Sequence, residues 1–251
     1  MSELNPKSVS MILIGNELLS GKIIDENGIY AAKRLRALGA ELVRIVVVPD
    51  VEDDIVHEIQ RCRQRSELVL TSGGVGPTHD DITLACVAKA LNEPLVRHPR
   101  LENLIRTYFA ARATPDHFRM ADLPAGAELI DAGTQSWPII RCDNLFILPG
   151  VPEIFRAKFE AIAPLLRQGE WFLRSVYLNA DEGTIAADLR EMEIKFGVSI
   201  GSYPRFRADD YRVRVTVEAR QSSPVDDACA YLLDRLPDGV IVRIDPELTA
   251  L

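Results

Sequence analysis

A chain of 251 residues with 47% hydrophobic side chains can bury a sizeable core, as one large domain or as a medium domain plus a small one. Its 37 acidic against 29 basic side chains leave a formal charge of -8, which excludes a general nucleic-acid or polyanion binder and makes any phosphate site a local feature. No segment has the apolar length of a bilayer span, and residues Met1 to Ser10 carry neither a long apolar run nor a cleavage signal, so a cytoplasmic protein without membrane partners is expected.

Val9 to Ile14 is a short apolar run closed by Gly15, and a polar loop leads from it to apolar residues at helical spacing from Ile29 to Leu38. Glu41 to Val48 is a β-branched run, Asp53 to Arg63 returns to helical spacing, and Leu68 to Thr71 reads as a buried strand. This alternation predicts an α/β domain of parallel strands with helices on both faces. Asp81 to Leu91 reads as a helix with Ile82, Ala85, Cys86, Ala88 and Leu91 inward, and Arg100 to Arg112 as another. The Pro-, Gly- and Asp-rich stretch from Thr114 to Asn144 allows short strands at Glu128 to Ile130 and Trp137 to Arg141. Leu145 to Leu148 is an apolar strand, and Pro149-Gly150-Val151-Pro152 turns into a helix from Glu153 to about Leu166, with Pro152 tolerated in its first turn.

Composition shifts at Gln168-Gly169-Glu170, which predicts a boundary between residues 1–168 and 169–251. Beyond it, Trp171 to Leu178 reads as a strand, Glu182 to Phe196 as a helix, Val198 to Tyr203 and Tyr211 to Ala219 as strands, Pro224 to Leu236 as a helix and Val240 to Ile244 as a strand. That order is the ferredoxin-like β-α-β-β-α-β arrangement. Cys62, Cys86, Cys142 and Cys229 lie far apart in no C-x-x-C or Cys/His cluster and read as small buried hydrophobes in a reducing compartment.

The chemistry concentrates in Ser72-Gly73-Gly74-Val75-Gly76-Pro77-Thr78, between a strand and a helix, where backbone N–H groups and a helix N-terminus favour an anion. Three glycines in four residues permit positive φ and close ligand approach, and the carboxyl end of a strand is where open α/β sheets bind ligands. The alternative is a tight turn that serves geometry alone. One of Asp80 and Asp81 could cap the helix. Two carboxylates beside a phosphate site would nonetheless repel the ligand unless a cation intervenes, which points to a hard divalent metal held by oxygen ligands. The first loop adds Glu17 and Asp25 on the same sheet edge, and Asn27 as either a helix cap or a ligand contact. Gly15 to Ile23 resembles a P-loop only superficially, because five residues separate its glycines and Ile23 stands where Ser or Thr is required. Lys22 reads as solvated surface or a phosphate contact, and His79 as a candidate to touch phosphate or polarise water. His57, His98 and His117 read as structural or surface residues.

Ile14-Gly15-Asn16-Glu17-Leu18-Leu19-Ser20-Gly21, Asp25-Glu26-Asn27, Val48-Pro49-Asp50, Thr71 to Thr83 and Leu148 to Pro152 together resemble the MoaB/Mog-type molybdopterin-binding domain, in the branch that includes CinA. The chain also resembles the N-terminal molybdopterin-binding-like domain of eukaryotic FAD synthase, and that resemblance continues through Ala180 to Ala186 and Gly201-Ser202-Tyr203-Pro204. The resemblance implies a three-layer α/β/α domain with a mostly parallel sheet, a small α/β domain after it, and assembly as a homodimer or trimer. It implies Asp25 and Asp81 as the catalytic pair at a pterin and metal site. Together with the residue-level reading, the ligand-binding set is Gly15, Glu17, Asn27, Ser72, Gly73, Gly74, Gly76, Pro77, Thr78, Asp80 and Gly150, with Asp25, Asp80 and Asp81 on the metal.

The activity implied is hydrolysis of FAD, ADP-ribose or a related dinucleotide at the diphosphate, dependent on magnesium, manganese or cobalt and assisted by potassium. In that reading the amides of Gly73, Gly74 and Gly76 meet the phosphoryl oxygens; no general base is evident. A molybdopterin-binding protein of molybdenum cofactor synthesis and a non-catalytic nucleotide sensor or scaffold are the alternatives. The deamidase and adenylyltransferase modules of longer relatives are not in this sequence, so those activities are expected to be absent. Where many CinA members carry Gly-Thr-Ala-Pro-Gly, this chain has Gly133-Thr134-Gln135-Ser136-Trp137-Pro138. That departure bears on the base or pterin end of the site more than on the phosphate end.

Overall fold

The computed structural model describes residues 8–131, 133, 137–205, 210–237, 239–245 and 249–250. The chain forms two compact units, residues 1–36 with 40–168 and residues 37–39 with 169–251.

The first unit runs β1 (Ser8–Ile14), α1 (Asn16–Leu19), α2 (Asn27–Ala37), β2 (Glu41–Val48), α3 (Glu52–Arg65), β3 (Leu68–Ser72) and α4 (Thr83–Leu91). It continues with β4 (Leu95–Arg97), α5 (Pro99–Phe109), a 3-10 turn (Ala110–Arg112), α6 (Pro115–Arg119), β5 (Asp122–Pro124), β6 (Glu128–Ile130), β7 (Ile139–Cys142), β8 (Leu145–Leu148) and α7 (Pro152–Leu166). The main sheet has the order β2-β1-β3-β8-β7-β6; the first four strands are parallel, and β7 and β6 extend it antiparallel. This is the mostly parallel α/β sheet expected. β4 and β5 form a separate antiparallel ribbon.

Helices cover both faces of the sheet, so β1 beyond Ser8 and the whole of β3 are buried and read as near-continuous apolar runs. Alternate residues of β1 serve opposite layers. Ile12 and Ile14 join Ile55, Ile59, Val87 and Ile105 in the core with α3, α4 and α5. Leu13 faces α2, whose Gly28 lies so near that an added Cβ would stand 3.1 Å from the leucine methyl. On that side α2 packs against α7, with Tyr30 edge-on to Phe155 and Phe159 at centroid distances of 6.4 and 5.7 Å. Phe155 and Phe159 are fully buried, and each contributes roughly 1.5–3 kcal/mol through lost apolar surface.

Helix ends shift by a residue or two from the sequence reading at several places, and two of the differences bear on the site. α4 begins at Thr83, two residues after Asp81, so neither Asp80 nor Asp81 belongs to its first turn. The helix expected to run on to Arg112 ends at Phe109, because Ala110 takes a positive φ of 48°, outside the right-handed helical region.

The second unit comprises β9 (Phe172–Leu178), α8 (Glu182–Phe196), β10 (Ser199–Pro204), β11 (Val213–Ala219), α9 (Ser222–Arg235), β12 (Ile241–Ile244) and β13 (Thr249–Ala250). Its sheet has the order β10-β11-β9-β12 with every pairing antiparallel, as the ferredoxin-like reading requires; β13 adds a further antiparallel pairing to β9. Val176, Leu178, Val215 and Val217 of the sheet pack on Ile185, Met192, Val225 and Leu232 of the helices.

All four cysteines are buried free thiols. Burial pushes Cys86 and Cys229 up to about 11 and Cys142 up to about 12, so these thiols stay protonated near neutral pH. Among the described residues no helix is long and apolar enough to cross a membrane.

Candidate functional site

The carboxyl ends of β1, β3 and β8 open on a cavity of about 830 Å³ within the first unit, a size suited to a small organic ligand. The glycine loop forms one wall. Gly73 and Gly74 take φ of 109° and 64°, in the region that disfavours any side chain. A Cβ on Gly73 would stand 2.2 Å from the Ile14 carbonyl oxygen, so the loop lies directly on the end of β1. Thr83 fastens it: the buried hydroxyl donates to the Gly73 carbonyl at 2.9 Å, and its amide donates to the Gly74 carbonyl at 3.0 Å.

The expected role of the glycine amides needs one correction. The Gly73 N–H donates to the Leu148 carbonyl at 3.2 Å, continuing the ladder between β3 and β8, and is not free for a phosphate. The amides of Gly74, Val75 and Gly76 donate to no protein acceptor among the described residues. These three are the available anion donors of the loop, and Val75 joins the set because an amide, unlike a side chain, is supplied by any residue but proline.

Glu17, Asp25 and Asp81 all line the cavity. Asp25 accepts the Gly28 amide at 2.9 Å, and Asp81 accepts both the amide and the hydroxyl of Thr78, at 2.8 and 2.5 Å. Each carboxylate rests beside a glycine: a Cβ on Gly15 would lie 2.4 Å from Glu17, on Gly28 2.3 Å from Asp25, and on Gly76 2.6 Å from Asp81. The missing side chains therefore make room for the acids. None of the three carboxylates is ion-paired among the described residues. Unpaired hard oxygen donors next to free amides fit a divalent cation that would offset their repulsion of a phosphate. Among the described residues no three His, Cys, Asp or Glu side chains converge on one point, so such an ion would need ligand oxygens or water to complete its coordination, as magnesium commonly does.

The structure does not bring Asp80 into this group. It does not line the cavity, because the turn before Thr83 carries it outward and leaves its side chain exposed. His79 is likewise turned to solvent, with its side chain 96% exposed. Pro77 and Thr78 do not line the cavity, and Thr78 acts through Asp81. Gly15 is also outside the lining and serves Glu17. Lys22 is exposed. His98 accepts the Arg100 amide at the start of α5 and His117 completes a capping box with Thr114, which are structural roles.

Asn27 lines the cavity, and its side-chain amide also ties the elements around it together. Its Nδ2 donates to Ser72 Oγ at 3.0 Å and to the Gly150 carbonyl at 2.8 Å, while the Ser72 hydroxyl donates to the Pro149 carbonyl at 3.2 Å. One buried amide thus joins the starts of α2, the glycine loop and the turn after β8. Replacing Asn27 by alanine removes the donor to the Ser72 hydroxyl oxygen and to the Gly150 carbonyl, and is expected to lower stability by about 1–3 kcal/mol in a thermal or urea melt. An unchanged midpoint would mean that the three ends hold together without the strap.

Sequence reasoning missed the remaining wall, which contains Tyr108, Phe109, Trp137 and Lys158. Tyr108 meets Trp137 edge-on at 5.9 Å. Lys158 lies three residues after Phe155 and four before Ile162, both fully buried, so a lysine on the inward stripe of α7 was the available signal. Residues 134–136, in the segment that departs from the CinA pattern, lie outside the described residues.

Residues 10–168 match the family described as probable molybdopterin binding domain, and residues 170–245 that described as FAD synthase, middle domain. A CinA-like protein of Myxococcus xanthus is 32% identical, the match covering 88% of this chain and 56% of the relative. A probable FAD synthase of Caenorhabditis elegans is 27% identical, over 95% of this chain and 51% of the relative. The crystal structure of the protein CinA with unknown function from Thermoplasma acidophilum superposes with a TM-score of 0.60 at 31% identity, covering 64% of this chain and 98% of that one. The chain spans about half the length of these curated relatives. On the match over residues 10–168, more than half of its length, the chain belongs to the family described as probable molybdopterin binding domain.

Proposed function

We propose that this chain is a metal-dependent nucleotide pyrophosphatase that cleaves FAD, ADP-ribose or a related dinucleotide at the diphosphate and releases AMP. The observation that carries the reading is the meeting, in one cavity, of free amides from Gly74, Val75 and Gly76 with unpaired carboxylates from Asp25 and Asp81. The amides would hold the phosphoryl oxygens on which charge grows as the bond breaks. Asp25 and Asp81 would hold a magnesium, manganese or cobalt ion, which when bound screens the diphosphate and lowers the pKa of attacking water. Glu17, unpaired in the same cavity lining, would order water near the ion. Potassium assistance and assembly as a dimer or trimer belong to the same reading, and are checked by salt substitution and by sedimentation.

The match of residues 10–168 favours a second reading, binding of a pterin phosphate in molybdenum cofactor synthesis. One assay separates the two. Purified protein is incubated with FAD, ADP-ribose and related dinucleotides plus magnesium, manganese or cobalt, and AMP release is followed alongside Asp81→Asn. The expected result is metal-dependent release that falls by about 100-fold in the variant, as removal of a metal ligand does. Absence of release with every dinucleotide and metal, together with selective pterin binding, sinks the hydrolase in favour of the second reading.

A further inference from the structure

The two helices of the second unit pack on one face of its sheet. Val176 and Leu178 of β9 and Val213 and Val215 of β11 join that core, so the residues alternating with them point to the opposite face. There the register sets one row across four strands: Tyr203 of β10 pairs with Arg214 of β11, Arg214 with Tyr177 of β9, and Tyr177 with Arg243 of β12. Aromatic and guanidinium groups therefore alternate over about 14 Å, three strand spacings. They also stack, with Arg214 4.9 Å over the Tyr203 ring and Arg243 3.9 Å over that of Tyr177. Tyr211 extends the row, edge-on to Tyr177 at 4.8 Å and with Arg205 4.9 Å over it.

The charge of this row is not spent internally. Arg212 and Arg214 meet no carboxylate among the described residues, and Asp210 lies 3.5 and 3.6 Å from Arg205 and Arg243, beyond ordinary hydrogen-bond length. A guanidinium laid over a ring spends its face there and keeps its N–H donors at its edge, where a phosphate can take two at once. Tyr203, Arg205, Arg212 and Arg243 are exposed. The net charge of -8 excludes a general polyanion binder, but arginines gathered about three tyrosines suit a short polyanion that also presents flat rings. We propose that this face binds a short single strand of nucleic acid, with two or three bases resting on the tyrosines and stacked arginines and the phosphates on the guanidinium edges. A duplex hides its bases, and an acidic peptide would leave the rings without a role. The proposal is independent of the diphosphate reading, whose residues all lie in the first unit.

The test uses the full chain with labelled oligouridylate and oligothymidylate of about eight nucleotides, the matching duplexes and polyglutamate, read by fluorescence anisotropy from low to physiological salt. The wild type is expected to bind both single strands more tightly than duplex or polyglutamate. Its log K should fall against log salt with a slope of about -1.4 to -2.1, the value for two or three phosphates. Tyr203→Ala is expected to weaken the strand at least about fivefold and leave the slope unchanged, because it removes a stacking surface and no charge. Arg243→Met is expected to weaken the strand and flatten the slope by about 0.7. Both replacements lie on the surface, and an unchanged circular dichroism spectrum marks each variant as folded. Absence of single-strand binding by the wild type at low salt overturns the proposal. So does duplex or polyglutamate binding as tight as the strands, which would make the face a surface that reads charge alone. Strand binding that neither variant alters overturns it too, because the strand then sits elsewhere.

Discussion

Gly73→Ala is expected to lower stability by at least about 3 kcal/mol and to remove ligand binding at the glycine loop. At φ 109° an alanine is strained before any neighbour is considered. Its Cβ would also stand 2.2 Å from the carbonyl oxygen of Ile14, a backbone atom of a buried strand that cannot rotate away as a side chain could. Relief requires moving β1, or lifting the loop off it and breaking the Thr83 hydrogen bonds that set the free amides. Gly21→Ala is the matched control, since Gly21 also has positive φ, 71°, but an added Cβ there meets nothing within 4 Å. It should cost only the backbone term, about 1–2 kcal/mol. At roughly 2–4 °C per kcal/mol for a chain of this size, Gly73→Ala should melt about 6–12 °C lower than wild type. Equal melting of the two variants would show that the close approach of loop and strand carries no weight.

The second large effect is a dependence on pH that one side chain confers. Lys158 has its pKa lowered from 10.5 to about 8 by desolvation. Between those values the unfolded chain binds the proton and the folded chain does not, so stability rises with pH across that window. The full stability is present above about 10.5 and has been lost once the pH falls through about 8. At about 1.4 kcal/mol per pH unit the difference reaches up to roughly 3 kcal/mol. Lys158→Met carries no such group, and is expected to be more stable than wild type near pH 7 by up to that amount, with the advantage vanishing toward pH 10. Urea denaturation of both proteins from pH 7 to 10 measures this directly. Two parallel curves would mean that the ammonium is well hydrated in the folded chain. A lysine that costs stability and is nevertheless kept in a cavity wall is what a ligand-binding role leads one to expect, since functional sites commonly retain groups that the fold alone would not choose.

The strands that build the main sheet were legible because β1, β3 and β8 are buried on both faces and therefore read as apolar runs, and the helices because their buried stripes recur at helical spacing. The glycine loop was legible because positive φ selects glycine locally. The ribbon of β4 and β5 was not, since strands of three residues carry too little periodicity and their pairing joins segments 25 residues apart. Within the site, residue types marked Asp25, Asp81 and Glu17 as candidates, but they could not separate Asp81, which faces the cavity, from Asp80, which faces solvent one residue earlier. That distinction follows from where α4 starts, two residues later than its periodicity suggested, because Thr83 hydrogen-bonds back to the loop.

By itself, the order of residues determined the layers and the glycine loop and marked the candidate acids, since each depends on neighbours within a few positions along the chain. Only the tertiary structure decided which donors and acceptors meet. The Gly73 amide is taken by Leu148, Asn27 reaches across 123 positions to Gly150, and Lys158 finds the Pro138 carbonyl, because partners so distant in sequence are chosen by packing.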